Sequence, residues 1–260
     1  MCTLVILNRP GHAWPLIVGA NRDEMRGRPW SPPARHWPDR PRVVAGRDDL
    51  AGGSWLGLNA HGVVAAMLNR QGTLGPAAGK RSRGELVLLA LDHADAAAAA
   101  LVMSELRPES YRAFNMVVAD AQGAFFIAHR GDAREPAIRR LGAGLTMLTA
   151  REPDDASSPR IARYRERFLA APPPDPGGGG FAAWEALLAS AEAAPGGPPE
   201  GAMCFDLPSG FGTVSGALIA VPAQVSGRPA NPGAGPEPRP VFRFAAGPPA
   251  TTPFRPVDLG

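Results

Sequence analysis

The chain has 260 residues, which suits one large domain or two small ones, and its 45% hydrophobic content can build a sizeable core. Its 27 basic and 24 acidic residues are interleaved, giving a net charge of +3 without the basic block that nucleic-acid binding favours. Cys2 and Cys204 are too far apart for a disulfide framework, and the five histidines lack metal-ligand spacing. Without a secretory signal or a membrane-length apolar run, we expect a soluble, cytoplasmic protein with no bound metal.

The first third of the chain is predicted to form β-hairpins. Apolar runs at 3–7 and 16–20 flank the turn sequence Asn8–Gly11, and a second pair of runs at 54–58 and 63–68 flanks another turn. The proline-rich segment between them is predicted to be an irregular loop, followed by a short extended stretch. The loop covers residues 28–41, and the extended stretch covers residues 43–46.

Helices and further strands follow in blocks. We predict helices at 85–93, 95–106, 158–171 and 181–194, and strands at 114–120, 124–129, 145–149, 214–221 and 241–245. Ser82 and Glu85 have the spacing of a capping box before the first helix. Blocks of hairpins and helices, without βαβ alternation, predict an α+β protein with two sheets between helical layers. The Pro/Gly-rich stretches at 172–180 and 226–240 interrupt one pattern, so we expect a single domain over residues 1–260.

Cys2 is the first candidate for chemistry, because it directly follows the initiator Met1. Removal of Met1 would place a thiol and a free α-amine on one residue. An α-amine has a pKa near 7.7–8.0, so a useful fraction is unprotonated at neutral pH. An N-terminal nucleophile activated by its own amine is an established catalytic arrangement.

A polar run follows the second predicted strand and contains Asn21, Arg22, Asp23 and Glu24. In a hairpin, the end of the second strand lies beside the start of the first, so this run is expected near Cys2. Asp23 could orient the amine, and Arg22 could lower the pKa of the thiol or hold an anion. The alternative is a turn and salt-bridge cluster that closes the hairpin.

Two more candidates lie near the predicted second hairpin. Gly52 and Gly53 precede Trp55 and permit a close backbone approach; the alternative is a β-bulge beside a core tryptophan. Asn69 and Arg70 end a strand, where side chains can face a shared cleft, although an asparagine there also suits a turn.

The last candidates lie at the starts of elements. Arg83 lies at the beginning of a predicted helix, a common anion site, although the segment could serve only as a cap. Asn115 opens a predicted strand and could equally belong to the edge of the core. Phe211–Thr213 precedes a late strand and also suits a turn.

Together these motifs resemble the NRDE family, the family of the transport and Golgi organisation protein 2. The resemblance rests on Met-Cys-Thr at the start, Ala-Asn-Arg-Asp-Glu at 20–24, Arg-Pro at 28–29, Gly-Gly-Ser-Trp-Leu-Gly at 52–57, Asn69, Ser-Arg-Gly-Glu-Leu-Val at 82–87, Phe-Asn at 114–115 and Phe-Gly-Thr at 211–213. It implies an N-terminal nucleophile (Ntn) hydrolase fold, an αββα four-layer sandwich. Penicillin V acylases and bile salt hydrolases share that fold and cleave amides with an N-terminal cysteine.

By this resemblance Cys2 would be the nucleophile, Asp23 would orient its amine, and the backbone N–H of Asn69 would contribute to an oxyanion hole. Three departures from the acylase pattern stand against fast hydrolysis. Ala20 stands where the acylases have an arginine. Thr149–Ala150 stand where the acylases have the asparagine of the second oxyanion donor, and their late arginine is absent near Val214. The loss of one oxyanion donor typically costs about 10²–10³ in rate.

The NRDE resemblance also implies intracellular handling of haem, or of lipids and acyl-coenzyme A. We therefore expect a cleft that binds an amphipathic anion, most readily haem, and passes it to or from a haem-binding partner protein. A thiolate at Cys2 or a histidine could ligate the iron. The expected ligand contacts are Asn21, Arg22, Glu24, Arg28, Trp55, Arg70, Arg83 and Asn115. The alternatives are an N-terminal-cysteine amidohydrolase and a scaffold protein without a small ligand.

Overall fold

Two antiparallel sheets lie face to face between helical layers in the computed structural model, which describes residues 2–131, 135–178, 180–223 and 238–260. The strands are β1 (Thr3–Asn8), β2 (Leu16–Met25), β3 (Trp30–Ala34), β4 (Val43–Asp48), β5 (Leu56–Asn59), β6 (Val64–Asn69), β7 (Phe114–Asp120), β8 (Gly123–His129), β9 (Ala137–Leu141), β10 (Gly144–Leu148), β11 (Phe211–Val221), β12 (Val241–Ala245) and β13 (Arg255–Pro256). The α-helices are α1 (Gly84–Leu91), α2 (Ala96–Ser104), α3 (Pro159–Ala170) and α4 (Ala182–Leu188), and short 3₁₀ turns lie at Pro108–Ser110 and Pro199–Gly201.

The strand order joins distant parts of the chain. Within the described residues, one sheet has the order β10-β1-β2-β11-β12-β13, and the other has the order β3-β4-β5-β6-β7-β8-β9. The second sheet is a meander of sequential neighbours, whereas the first inserts β11 between β2 and β12. The N-terminal hairpin therefore depends on a strand nearly two hundred residues later in the chain.

The alternation of side chains on β1 explains the layers. Leu4 and Ile6 point into the core between the two sheets, whereas Val5 points the other way, into a core shared with α3 and α4. A third core lies between the large sheet and the helices α1 and α2. Both sheets are thus apolar on both faces, and the αββα prediction is confirmed.

Some predicted elements differ from the structure. The predicted loop at 28–41 contains the edge strand β3, and β9 was not predicted, because prolines in one and exposed arginines in the other hide the strand pattern. The helix predicted at 181–194 ends at Leu188. The predicted loop at 226–240 lies largely outside the described residues.

The predicted capping box is absent. Ser82 accepts a hydrogen bond from the Gly84 N–H (3.3 Å), but Arg83 is the residue at the N-cap of α1. Glu85 does not reach back to the cap, since its Oε1 accepts from the Tyr111 hydroxyl at 2.5 Å. Its carboxylate also pairs with Arg81.

Candidate functional site

The β1–β2 hairpin brings Cys2 and Asp23 together, as the sequence predicts. Thr3 pairs with Asn21, so the residues just outside this pair meet at the end of the sheet. The Cys2 Sγ lies 3.7 Å from the Asp23 carbonyl oxygen, to which the thiol donates. Cys2 packs against the core between the sheets, in line with Leu4 and Ile6.

The carboxylate of Asp23 lies on the opposite face of that sheet, among buried polar groups. Its Oδ2 accepts from Arg160 Nη1 at 2.7 Å, and its Oδ1 accepts from the Thr213 hydroxyl at 2.8 Å. Asp23 is 1% exposed and Arg160 is 2% exposed. Arg160 also donates to the Thr3 hydroxyl (2.5 Å) and to the Glu200 carbonyl (3.0 Å). This network ties β1, β2, β11 and α3 together behind Cys2.

A β-bulge lies opposite the Arg22–Asp23 step. Thr213 pairs with Asp23 and Ser215 pairs with Arg22, which leaves Val214 as the extra residue of β11. Such bulges redirect side chains at sheet edges and sites. Here the bulge lets Thr213 meet Asp23 while β11 continues beside β2.

A cleft of about 270 Å³ opens in front of Cys2. Six of its lining side chains carry positive charge and two carry negative charge. The cations are Arg22, Arg28, Lys80, Arg81, Arg83 and Arg112, and the anions are Glu24 and Asp48. Trp55, Met67 and Pro76 add apolar surface. The cleft therefore favours a ligand that combines negative charge with some apolar surface.

Two of the cleft arginines, Arg83 and Arg112, lack a carboxylate partner among the described residues. Arg83 donates to the Thr73 hydroxyl and the Ala113 carbonyl, both at 3.0 Å. Burial and the neighbouring Arg112 lower the pKa of Arg83 to about 10. Arg112 donates to four loop carbonyls, those of Gly72, Leu74, Gly75 and Pro76. Arg83 therefore stays charged at neutral pH. The hydroxyl and carbonyl partners of the two guanidinium groups carry no negative charge that would neutralise them.

The thiol is protonated in this environment. Burial raises the pKa of Cys2, the Asp23 carboxylate raises it further, and Arg22 opposes the shift. A smaller pocket of about 20 Å³ lies behind the thiol, between the sheets. Cys2, Arg22, Trp55 and Met67 line both spaces and so form the wall between them.

Comparison with known proteins agrees with this architecture. Residues 1–172 match the family described as Transport and Golgi organisation 2. The chain belongs to this family. Its matched segment contains Cys2, Asp23, Arg160 and the whole lining of the larger cleft.

Named relatives of the family share about a third of their residues with the chain over the matched region. The human Transport and Golgi organization protein 2 homolog is 34% identical over 131 residues, which cover 48% of this chain and 46% of the relative. The Bos taurus homolog is 32% identical over 137 residues, covering 49% and 48%. The chain therefore spans about half the length of these relatives.

Solved structures similar to the chain are Ntn-hydrolase-like. An N-acylethanolamine-hydrolyzing acid amidase ortholog from Caenorhabditis elegans has a TM-score of 0.58 at 14% identity, covering 86% of this chain and 94% of that chain. A variant of conjugated bile acid hydrolase from Clostridium perfringens has a TM-score of 0.52 at 10% identity, covering 99% and 97%. At these identities the similarity concerns the fold alone.

Most of the predicted catalytic and ligand-binding residues line the two spaces beside the thiol. The residues at the larger cleft are Cys2, Arg22, Glu24, Arg28, Trp55, Asn69 and Arg83. Asn21 lines the smaller pocket, and its Nδ2 donates to the carbonyls of Leu188 and Met203, both at 2.8 Å. Asn21 therefore also anchors the hairpin to the segments that follow α3.

Arg70 and Asn115 lie outside both spaces, contrary to the expectation that they line the cleft. Asn115 is fully buried, and its amide donates to the carbonyls of Thr149 and Arg151. Its Oδ1 accepts from Arg70 at 2.6 Å, and Arg70 also pairs with Glu152. This cluster joins the first residues of β7 to the chain after β10, which is a structural role.

Sequence reasoning missed Arg160 and four charged residues of the cleft: Asp48, Lys80, Arg81 and Arg112. Arg160 had a usable signal, since it lies four residues before Tyr164 and eight before Phe168, on the buried face of α3. Lys80 and Arg81 lacked one, because they lie in the loop between β6 and α1, which has no periodicity. Asp48 and Arg112 reach the cleft from other parts of the chain, so no local spacing connects them to it. Within the described ranges no helix is long and apolar enough to cross a bilayer, and no metal-binding cluster of His, Cys, Asp or Glu is present.

Proposed function

We propose that the cleft binds and releases an amphipathic anion beside Cys2, and that haem is its cargo. The observation that carries this proposal is the excess of cationic side chains around the cleft, six against two carboxylates. Opposite charge concentrates such ligands and speeds their capture. The proposed setting is the cytoplasm, where free thiols such as Cys2 and Cys204 stay reduced.

The residues of the cleft suit the parts of haem. The propionates would meet the arginines and Lys80, and the faces of Trp55, Met67 and Pro76 would contact the porphyrin. No histidine lines the cleft in the described part of the chain, and Cys2, whose thiol is protonated there, offers the iron only a weak sulfur donor. A weakly held axial position suits a carrier that hands its cargo to a partner protein. An acyl-coenzyme A-like ligand has the same amphipathic, anionic character.

A haem titration followed through the Soret band tests the proposal. We expect saturable binding, with the affinity falling about tenfold in Arg83→Gln, because a charge-assisted contact is lost. Arg47→Gln is the matched control, since Arg47 is exposed, pairs with Asp49 and does not line the cleft. Transfer of the bound haem to an apo-haemoprotein should follow. An unchanged Soret band would defeat the proposal.

A second candidate function, N-terminal-cysteine amide hydrolysis, is supported by Cys2 at the cleft with Asp23 bonded behind it. After Met1 removal, the Cys2 sulfur would attack an amide carbonyl, the amine would leave with a proton, and water would hydrolyse the thioester. Asn69 lines the same cleft, where an oxyanion donor is needed. The missing second amide argues for a slow reaction.

Intact mass and a hydrolysis assay test this second candidate. We expect a mass lacking Met1 and release of amine from an N-acyl substrate that disappears in Cys2→Ala. Cys204→Ala is the matched control, because Cys204 is a buried cysteine that lines neither space beside Cys2. A retained Met1 would exclude the α-amine mechanism.

A further inference from the structure

Arg22 differs from the other cations of the cleft in how it is held. It is 5% exposed, and its guanidinium carbon lies 4.2 Å from the centre of the Trp55 ring and 6.0 Å from that of Trp30. Stacking on a ring covers the face of a guanidinium and leaves its edge for hydrogen bonds. The edge of Arg22 is therefore the part that remains for a ligand.

That edge is only partly satisfied. Nη2 lies 3.9 Å from Asp48 Oδ2, an oxygen that Arg28 already holds with two nitrogens at 2.8 Å. Nη1 is buried and has no hydrogen-bond partner among the described residues. An unsatisfied buried donor on a charged group is costly, so the folded chain retains it at the expense of stability.

The other five cations of the cleft have partners. Arg28 holds Asp48, Arg81 pairs with Glu85, and Lys80 donates to the Glu109 carbonyl. Arg83 and Arg112 donate to hydroxyl and carbonyl oxygens. One unsatisfied donor beside the thiol therefore favours an anion with few acceptor oxygens. A carboxylate has two such oxygens, whereas a phosphate group has three or more that would need donors.

We propose that Arg22 and Cys2 form a carboxylate subsite, in which one carboxylate oxygen accepts from Arg22 Nη1 and the atoms next to that carboxylate lie against the Cys2 sulfur. Both residues line the larger cleft and the pocket behind it. The pocket behind the thiol has a volume of about 20 Å³, so it has room for no more than a small group of the ligand. The inference rests on the proposed anion binding and names the group that is recognised nearest the thiol.

The test compares alkylation of Cys2 by iodoacetate and by iodoacetamide, followed by mass spectrometry of the Cys2 peptide. In each reaction the thiolate attacks the CH₂ carbon, a C–S bond forms, iodide leaves and the thiol proton goes to solvent. Both reagents need the same thiolate, so the ratio of their rate constants does not depend on the pKa of Cys2. The reference is the same ratio for N-acetylcysteine amide, a thiol without a neighbouring cation.

We expect the ratio at Cys2 to exceed the reference about tenfold, as one charge-assisted hydrogen bond implies. Arg22→Gln should return it to the reference. Arg26→Gln should leave it unchanged, because Arg26 lies outside the cleft and pairs with the exposed Asp206. Acetate should protect Cys2 from iodoacetate more than phosphate or chloride does at equal ionic strength.

A ratio equal to the reference, or one unchanged by Arg22→Gln, overturns the subsite, and so does a Cys2 that reacts with neither reagent. Better protection by phosphate overturns the carboxylate assignment. If Arg22→Gln does not fold, the acetate experiment on the unmodified sequence decides. If the protein does not bind haem but shows a high, Arg22-dependent ratio, the cargo proposal is wrong and the subsite stands. If it binds haem but the ratio equals the reference, the subsite is wrong and the cargo proposal stands.

Discussion

At the scale of single residues, the environment of Cys2 sets when its thiol reacts. Burial raises the pKa of the thiol, and the nearby Asp23 carboxylate raises it further, while Arg22 lowers it. The balance keeps the sulfur protonated at neutral pH. At neutral pH the Cys2 sulfur is thus held in its less nucleophilic form, which agrees with the proposed role of contacting a bound ligand.

We predict that iodoacetamide alkylates Cys2 more slowly than a free thiol at pH 7–8. Since a raised pKa means that the thiolate forms at higher pH, the rate should keep rising above pH 9, beyond the point where a free thiol levels off. Peptide-resolved alkylation rates against pH check this, on protein whose N-terminal mass has been measured. A midpoint below that of a free thiol would contradict the predicted direction.

The Asp23–Arg160 pair is a second single-residue feature with a large expected effect. Both side chains are almost fully buried, and each is hydrogen-bonded to the other. We predict that Asp23→Asn lowers the free energy of unfolding by about 3–5 kcal/mol, because it leaves the Arg160 charge buried without its partner. Urea denaturation measures the change.

Two controls distinguish a buried charge from ordinary packing at this pair. Asp206→Asn breaks the exposed Arg26 pair and should cost about 0–1 kcal/mol. Replacing both members, in Asp23→Asn with Arg160→Met, should cost less than Asp23→Asn alone, since no unpaired charge remains. If the double variant loses as much free energy of unfolding as the two single variants lose together, the result would contradict this account.

At the scale of elements, the hairpin β1–β2 was predictable and the cleft wall was not. The turn residues Asn8–Gly11 and two apolar runs predicted the pairing, and the pairing predicted that Cys2 lies beside Asp23. The alternation of strand side chains, applied to the same segment, also accounts for the Asp23 carboxylate facing α3. The helical spacing of Arg160 with Tyr164 and Phe168 indicates that its side chain is buried, but it does not indicate the partner. Asp23 lies on a distant strand, so no local spacing connects the two residues.

The loop between β6 and α1 forms the outer wall of the cleft and has no repeating pattern. Arg112, which lies just before β7, donates to four carbonyl oxygens of this loop. Gly72, Gly75 and Gly79 have φ between 71° and 79°, a conformation that glycine adopts most readily. Such a wall follows from a long-range contact that only the folded sheet creates.

We predict that Arg112→Gln speeds cleavage after Lys80 by a lysine-specific endoprotease about tenfold, because the loop loses several carbonyl contacts and opens more often. Lys80 is the sole lysine of the chain, which makes the product easy to identify. Arg107→Gln is the control, since Arg107 is exposed and lies outside the cleft. Equal cleavage rates in the two variants would show that Arg112 does not hold the loop.

At the scale of the whole molecule, the segment that matches the family shares a sheet with strands that follow it in the chain. The family match covers residues 1–172, yet β2 pairs along its length with β11, which lies between Phe211 and Val221. The Asn21 amide donates to Leu188 and Met203, and Thr213 donates to Asp23. The site residues thus come from the first segment, while part of their support comes from the second.

We predict that residues 1–172 expressed alone do not fold cooperatively. Without β11, the strand β2 becomes an exposed edge, and the core under α3 loses Trp184 and Leu218. Circular dichroism with thermal denaturation checks this, with the full chain as reference.

Adding residues 173–260 in trans should restore a cooperative transition and slow the alkylation of Cys2 to the rate in the full chain, because the buried setting that raises its pKa depends on the completed sheet. A sharp, reversible transition in residues 1–172 alone would instead mark them as an independent domain and would leave the later strands as an addition to a complete site.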